Sequence, residues 1–466
     1  MSTSSPDLGA SALARLREIF GAGALLLEPA GRWSYGYDNS RRQAMPQAVV
    51  FATQEAEVQA LVALCHQEGI PLIPRGRGTG TTGATVPDRG GIVLSLERMN
   101  RILEIAPDDR LAVVEPGVTN EALQGALAER GFFWPPDPTS AAVCTLGGNL
   151  AYNSAGPRAV KYGTPRDNTL GLRAVTGTGA LLKTGVRTTK GVVGYDLTRL
   201  LIGSEGTLGI ITQATLRLTP LPEAKRALRA VYDHIDAAAA AVAAIMAQPV
   251  TPCALEIMDA AALALARDHG GLRLPDGAGA LLMIEVDGPA ACIERAADAV
   301  ADAARVPGLL ELGVASSAAE TAALWKARKA LSPALRKAAP KKINEDVVVP
   351  VSRIPELVAG LQAISGRYGI PIVNFGHAGN GNLHTNLLLN PAIPGQMERA
   401  QDCLGEVFHL VLRLDGTLSG EHGVGLEKRD HIADELGPVS LELMRAIKRQ
   451  FDPRGILNPG KGLPDA

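Results

Sequence analysis

The chain has 466 residues, 46% of them apolar and 20% charged, which is the composition of a globular protein long enough for about two to four domains. Lys and Arg number 46 against 48 Asp and Glu, a net charge of −2 that excludes a broad nucleic-acid-binding surface, and 4% aromatic residues leave no platform for stacking bases. The five cysteines (Cys65, Cys144, Cys253, Cys292, Cys403) are scattered without CxxC spacing, which argues against a disulfide framework or Cys-ligated zinc and for a reducing compartment.

Residues 1–45 read as a short helix and a connecting arm. The start, MSTSSPDLGASALARLREIF, has no basic stretch leading into an apolar run, so no signal peptide is expected. The longest apolar run, residues 237–247, is well short of the ~20 residues that span a bilayer. A cytoplasmic protein is expected, with peripheral attachment at the inner face of the membrane left open. From 46 to 222 the pattern is mixed α/β and dense in Gly and Thr, with helices at 55–68 and 120–130 and apolar runs at 70–73 and 91–96. Leu218-Thr-Pro-Leu-Pro222 reads as a boundary.

From 223 to 415, Ala-rich helices (237–247, 260–268, 290–304, 318–337) alternate with strands (228–232, 253–258, 281–286, 309–314). A split βαβ sheet covered by helices on one face fits that order. The last segment, 416–466, opens on a Gly-rich loop, carries a helix near 442–451 and ends in Asn-Pro-Gly-Lys-Gly-Leu-Pro.

Gly78-Thr-Gly80-Thr-Thr-Gly83 matches GxGxxG, but Pro87, Gly90 and Gly91 deny it the helix that a dinucleotide-binding loop leads into, and no Gly-Lys-Ser/Thr follows. The stretch Pro74–Gly83 still suits a phosphate: glycines expose backbone N–H groups, Thr79 and Thr82 add hydroxyls, and Arg75 and Arg77 add charge. A Gly-rich turn between strands is the alternative for the loop by itself. The runs Cys144–Asn149, Asn153–Pro157, Lys161–Gly163, Arg166–Asn168 and Leu201–Ile210 are also rich in small and amide residues, a composition that an extended cofactor explains better than core packing does.

Together PRGRGTGTTG, CTLGGNLAYNSAGPRAVKYGTPRDN and LIGSEGTLGIIT resemble the FAD domain of the vanillyl-alcohol oxidase and p-cresol methylhydroxylase superfamily, in its branch of FAD-linked D-lactate, glycolate and D-2-hydroxyglutarate dehydrogenases. The resemblance covers nearly the whole chain. It implies an α+β protein with a two-subdomain p-cresol methylhydroxylase-type FAD-binding domain (46–222), an α+β, ferredoxin-like substrate domain (223–415), and a C-terminal helical segment (416–466) returning to the flavin. By this resemblance Gly76, Gly78, Thr79, Gly80, Thr82 and Gly83 hold phosphates, while Thr145, Gly148, Asn149, Asn153, Gly156 and Tyr162 line the ribityl and isoalloxazine region. Glu205, Gly209 and Ile210 fall near the adenine, and Asn458 is placed with the cofactor residues. With no histidine in these loops, non-covalent FAD is expected.

His66, His234, His269, His409 and His431 lie in helix-like or polar surroundings and read as structural or solvated. His377 and His384 flank Asn380-Gly381, the preferred pair for a two-residue type I′ hairpin turn. That turn pairs residues whose numbers sum to 761, setting His377 opposite His384 and Phe375 opposite Asn386. Opposed residues have Cβ atoms ~5 Å apart, so both imidazoles could reach one ion. Asn382, His384 and Asn386 share that face, and Asn386 is a candidate substrate ligand. Ser419-Gly-Glu-His-Gly-Val-Gly425 offers Glu421 and His422, and two His with one carboxylate is a common set for catalytic zinc. A structural histidine pair and a surface loop are the alternatives. The resemblance implies that His377, His384 and Glu421 bind a divalent metal, with zinc as the first choice, and that His422 is the base beside the flavin.

Arg328 and Ser332 stand at i, i+4 on a predicted helix, which by itself reads as a basic surface helix. The resemblance makes Arg328, and with it Ser332, the holder of the substrate carboxylate, a task suited to a guanidinium fork. Relatives that use D-2-hydroxyglutarate carry a lysine near the position of Asn344, so its absence favours a monocarboxylate such as D-lactate. The expected reaction converts D-lactate to pyruvate with proton removal by His422 and hydride transfer to the flavin. Its partners are the small 2-hydroxy acid and an external acceptor (quinone, cytochrome or electron-transfer flavoprotein), and a homodimer is compatible. D-2-hydroxyglutarate dehydrogenation, or a place as the FAD subunit of a glycolate oxidase complex, is the alternative. A zinc hydrolase is a remote one, since it leaves the glycine loops unexplained.

Overall fold

The computed structural model describes residues 8–270, 273–315 and 317–464, with the side chains of His269, Ala318, Ala323, Ala327, Lys329 and Ser332 outside the described residues. The chain divides into two compact units, Met1–Ala155 with Gly163–Leu221 and Glu421–Ala466, and Gly156–Tyr162 with Pro222–Gly420. Among the described residues no helix is long and apolar enough to cross a membrane.

The first unit holds two main sheets. One has the order Leu25–Leu26, Ala48–Phe51, Ile92–Ser95, Leu72–Arg75, and its last three strands run parallel. Val49, Val50, Ile92, Val93 and Leu94 are all fully buried, as expected for short parallel strands with both faces covered. The helix Glu55–Glu68 crosses between two of these strands, opened by a Gln54/Glu57 capping box and closed by Gly69 in the left-handed conformation. The second sheet is antiparallel, in the order Ile102–Ala106, Leu111–Val114, Ile210–Arg217, Thr169–Val175, Leu181–Gly185. The C-terminal segment is built into both cores: Ile456 and Leu457 enter the first, while Ile447 and Phe451 of the helix Pro438–Phe451 pack on the second.

The second unit is one seven-stranded antiparallel sheet, in the order Leu309–Val314, Ala224–Tyr232, Ala280–Gly288, Ala254–Asp259, Ile372–His377, Asn382–Leu389, Lys341–Val348. Helices Ile235–Ala247, Ile293–Ala303, Ile354–Tyr368 and Gln396–Arg413 bury one face. The expectation of helices on one face only is corrected here. Ala260–Gly270 and Ala318–Ala338 pack on the opposite face over Val231, Met258, Leu281 and Phe375, because those positions alternate with the first set and are apolar too.

The hairpin register also differs from the expected one. Phe375, not His377, stands opposite His384, and Val373 stands opposite Asn386, so paired numbers sum to 759. The connection is a short 3-10 turn, Ala378–Asn380, closed by Gly381 at φ +73°, in place of a two-residue turn. Packing selects it. A Cβ on Gly379 would meet Val160, and Gly381 O accepts a hydrogen bond from Val349 N at 3.1 Å. A shift of two in the sum preserves side-chain parity, so His377 and His384 still share a face. A Cβ at Gly381 would lie 1.8 Å from Val349 O. Gly381→Ala is therefore expected to destabilise the protein by ~2–4 kcal/mol, from left-handed strain plus overlap, as read by denaturant melting; an unchanged midpoint would contradict this turn.

Candidate active site

In the first unit the strand Leu72–Arg75 runs into the glycine loop. Among the described residues none of the backbone N–H groups of residues 76–83 donates a hydrogen bond to the protein, although the carbonyls of Thr79, Gly80, Thr82 and Gly83 all accept one. A run of unspent backbone donors is a concavity for an anion. The glycines are needed for close approach: a Cβ on Gly76 would sit 2.3 Å from Thr145 Oγ1, and one on Gly80 2.6 Å from the Tyr152 hydroxyl. Arg75 is buried behind the loop, with Nη1 donating to Tyr37 O at 2.8 Å and Thr85 Oγ1 at 3.1 Å, so its guanidinium fills the space that Gly78 leaves open.

Of the other expected cofactor residues, Thr145 stands against Gly76 of this loop. Thr145 caps the helix Leu146–Tyr152, its hydroxyl accepting from Gly148 N, and Asn149 lies buried against Cys144 and Asn120. Asn153 ends that helix at φ +57° and accepts from Arg166 N at 3.1 Å. Gly209 leads into the strand that begins at Ile210, which is buried opposite Val175.

Glu205, at φ +52°, sends its buried carboxylate to Val424 N at 2.5 Å and Gly425 N at 2.8 Å. Burial pushes its pKa up, against the pull of those N–H groups and of Lys428 and Lys461. Asn458 donates to Glu205 O at 2.7 Å and Ala84 O at 2.9 Å. These two residues thus hold the loop that carries Glu421 and His422. In the same unit Thr82 Oγ1 donates to His422 O at 3.3 Å, and Glu421 Oε2 accepts from Ala155 N at 3.2 Å. Tyr152, which the sequence reading did not single out, packs between Gly80 and Gly423.

In the second unit, strand alternation gathers Glu256, His377, His384, Asp346, Asn382 and Asn386 on one sheet face. The ring centroids of His377 and His384 are 5.1 Å apart. His377 Nδ1 donates to Glu256 Oε1, and Arg328 Nε donates to Glu256 Oε2 at 2.7 Å. Burial alone would raise the Glu256 pKa, but the Arg328 guanidinium and the hydrogen bond from His377 outweigh it and hold the carboxyl below the usual carboxylate range. Arg328 also stacks on Phe375, with Cζ 4.5 Å from the ring centroid. Its helix is Ala318–Ala338, on which Ser332 also lies, with a side chain outside the described residues.

Asn386 is fully buried. Its Nδ2 donates to His384 O at 3.0 Å and Val373 O at 3.3 Å, while Oδ1 has no partner among the described residues. A buried acceptor left in this way points to a ligand donor. Asn344 pairs directly with Asn386 across the adjacent strands. Asp346, fully buried, accepts from Asn382 Nδ2 at 2.6 Å and Gly420 N at 2.9 Å, which fixes the residue immediately before Glu421. Glu256 was missed in the sequence; the available signal was a carboxylate inside the largely apolar strand Ala254–Asp259.

Tyr162 and Gly156 fall in the second unit, where Tyr162 donates to Asp287 Oδ1 at 2.9 Å and Oδ2 at 2.8 Å. Lys161 pairs with the same carboxylate.

The narrow clearance and the unspent donors of the glycine loop fit the pyrophosphate of an extended FAD. Gly76→Val should weaken FAD binding by at least about tenfold, or ~1.4 kcal/mol, in a fluorescence titration of deflavinated protein whose far-UV circular dichroism is unaltered. An unchanged Kd would remove the loop from the cofactor site.

Two family models match the chain, one described as FAD binding domain over residues 46–185 and one as FAD linked oxidases, C-terminal domain, over residues 221–462. The chain is 41% identical over 433 residues to the glycolate oxidase subunit GlcD of Bacillus subtilis (strain 168), covering 93% of this chain and 92% of that one. It is 35% identical over 431 residues to a D-lactate dehydrogenase of Anaerostipes hadrus, covering 90% of each. It also shares the fold of p-cresol methylhydroxylase with substrate bound, at a TM-score of 0.79 and 20% identity over 97% of this chain and 96% of that one. The chain therefore belongs to the FAD-linked oxidase family and is an FAD-linked oxidoreductase whose relatives include glycolate oxidase subunits and D-lactate dehydrogenases.

Proposed function

We propose that this chain oxidises a D-2-hydroxy acid, with D-lactate as the first choice, to the 2-oxo acid and passes the electrons to an external quinone, cytochrome or electron-transfer flavoprotein. The observation that carries the reading is the sheet face of the second unit. A guanidinium anchored through Nε to Glu256 lies on the face that holds two imidazoles and the unpartnered carboxamide oxygen of Asn386. That set suits a carboxylate with an adjacent hydroxyl.

In this reading segment 46–222 holds FAD non-covalently, 223–415 holds the substrate, and 416–466 returns to the flavin. Bound FAD supplies, at N5, the acceptor for the α-hydrogen and its electron pair. His377, His384 and Glu421 would hold a divalent cation, zinc as the first choice, which supplies positive charge where the hydroxyl ionises. The donor set supports this: His377 gives Nδ1–H to Glu256, the carboxylate–histidine arrangement common behind metal ligands, and Asp346 Oδ1 stands 3.8 Å from His384 Nδ1. Arg328 grips the substrate carboxylate through its outer guanidinium nitrogens, since among the described residues its hydrogen-bond partner is Glu256 alone. Asn386 orients the substrate. His422 takes the hydroxyl proton as general base, on a loop stiffened by Glu205.

A second reading, the FAD-carrying subunit of a glycolate oxidase complex, is favoured by the 41% identity to a protein of that name. D-2-hydroxyglutarate is disfavoured by Asn344, which faces Asn386 where a lysine would serve a second carboxylate. Steady-state assays with a dye acceptor on D-lactate, L-lactate, glycolate and D-2-hydroxyglutarate distinguish these. The expected result is the highest kcat/KM for D-lactate, its loss on chelator treatment with recovery on adding zinc, and a kcat lowered ~10²–10⁴-fold in His422→Ala. A glycolate preference would establish the second reading, and full activity after metal removal would overturn the metal assignment.

A further inference from the structure

We infer that Glu256 is a positioning residue for both ends of the substrate, fixing the Arg328 guanidinium with one carboxylate oxygen and the His377 imidazole with the other. This rests on the proposed reading of the site as a 2-hydroxy-acid centre.

Glu256 lies mid-strand in Ala254–Asp259, 1% exposed, in a ladder that sets it directly opposite His377. Its second oxygen is spent on Arg328 Nε, and among the described residues no hydrogen bond engages the two terminal guanidinium nitrogens. Phe375 completes the clamp. It carries the guanidinium on its ring and stands 5.8 Å, centroid to centroid, from His384. Holding the proton of His377 on Nδ1 commits Nε2 to be the lone-pair nitrogen, the form a metal ligand requires. One carboxylate thereby sets the distance between the group that receives the substrate carboxylate and a group that would hold the cation at its hydroxyl end.

A plain staple between the Arg328 helix and the sheet would use the same atoms, and the two roles separate by measurement. The FAD-loaded protein is titrated with oxalate, read from the flavin absorbance, and zinc retention is followed in graded chelator by elemental analysis. Glu256→Gln should weaken both oxalate affinity and zinc retention by about tenfold or more, with FAD content unchanged, while Arg328→Ala weakens oxalate alone. Glu256→Asp, one methylene too short to reach both partners, should give the same double loss to a smaller degree and covers the case in which the Gln variant does not fold. Variants that lose thermal stability but keep both ligands, or lose one only, would overturn the inference. Wild-type protein that binds neither oxalate nor zinc would overturn the underlying reading of the centre, and the inference with it.

Discussion

A carboxylate with 1% exposure in the middle of an apolar sheet must have its charge answered, and Glu256 is answered twice, by Arg328 and by His377. Removing either partner from such a buried set typically costs ~3–5 kcal/mol. The arrangement of the second unit follows from this. The helix Ala318–Ala338 is pinned to its sheet face by this ion pair as well as by apolar packing, and Phe375 is placed between the guanidinium and His384. On the same sheet face the strands also carry Asn382, His384, Asn386 and Asp346 in place of apolar residues.

The first unit meets the opposite demand. There the unmet groups are donors, the backbone N–H groups of residues 76–83, left available by a loop whose glycines press against Thr145 and Tyr152. Glu205 and Asn458 secure the partner loop from a distance, each with non-glycine backbone at positive φ. Such strain persists only where surrounding contacts over-determine it.

Much of this was legible in the sequence, and the gaps have physical causes. The helix Glu55–Glu68 and the strand Leu309–Val314 follow from periodicity and local caps. The glycine loops and the two histidines on one face were readable because turns and strand parity are local rules. The hairpin register was not, because Asn380-Gly381 favours a two-residue turn in isolation, while Gly379 against Val160 and Gly381 against Val349 impose a longer one. Glu256 was not readable either. Its partners lie 72 and 121 residues away in sequence, and no local pattern reports a cross-strand neighbour. Arg75 illustrates a third limit: a cation beside a phosphate loop invites the reading of a ligand, yet its donors go to Tyr37 O and Thr85.

In the proposed reaction the α-hydrogen of a D-2-hydroxy acid leaves as hydride to FAD held by this chain. Anaerobic single-turnover reduction, followed at the flavin absorbance with D-lactate and with D-lactate deuterated at Cα, isolates that step. D-lactate but not L-lactate should bleach the flavin, and the deuterium should slow the bleaching severalfold. Flavin that bleaches at the same rate with both isotopologues would contradict α-hydrogen transfer as the reducing step, and flavin that no 2-hydroxy acid bleaches would contradict the function itself.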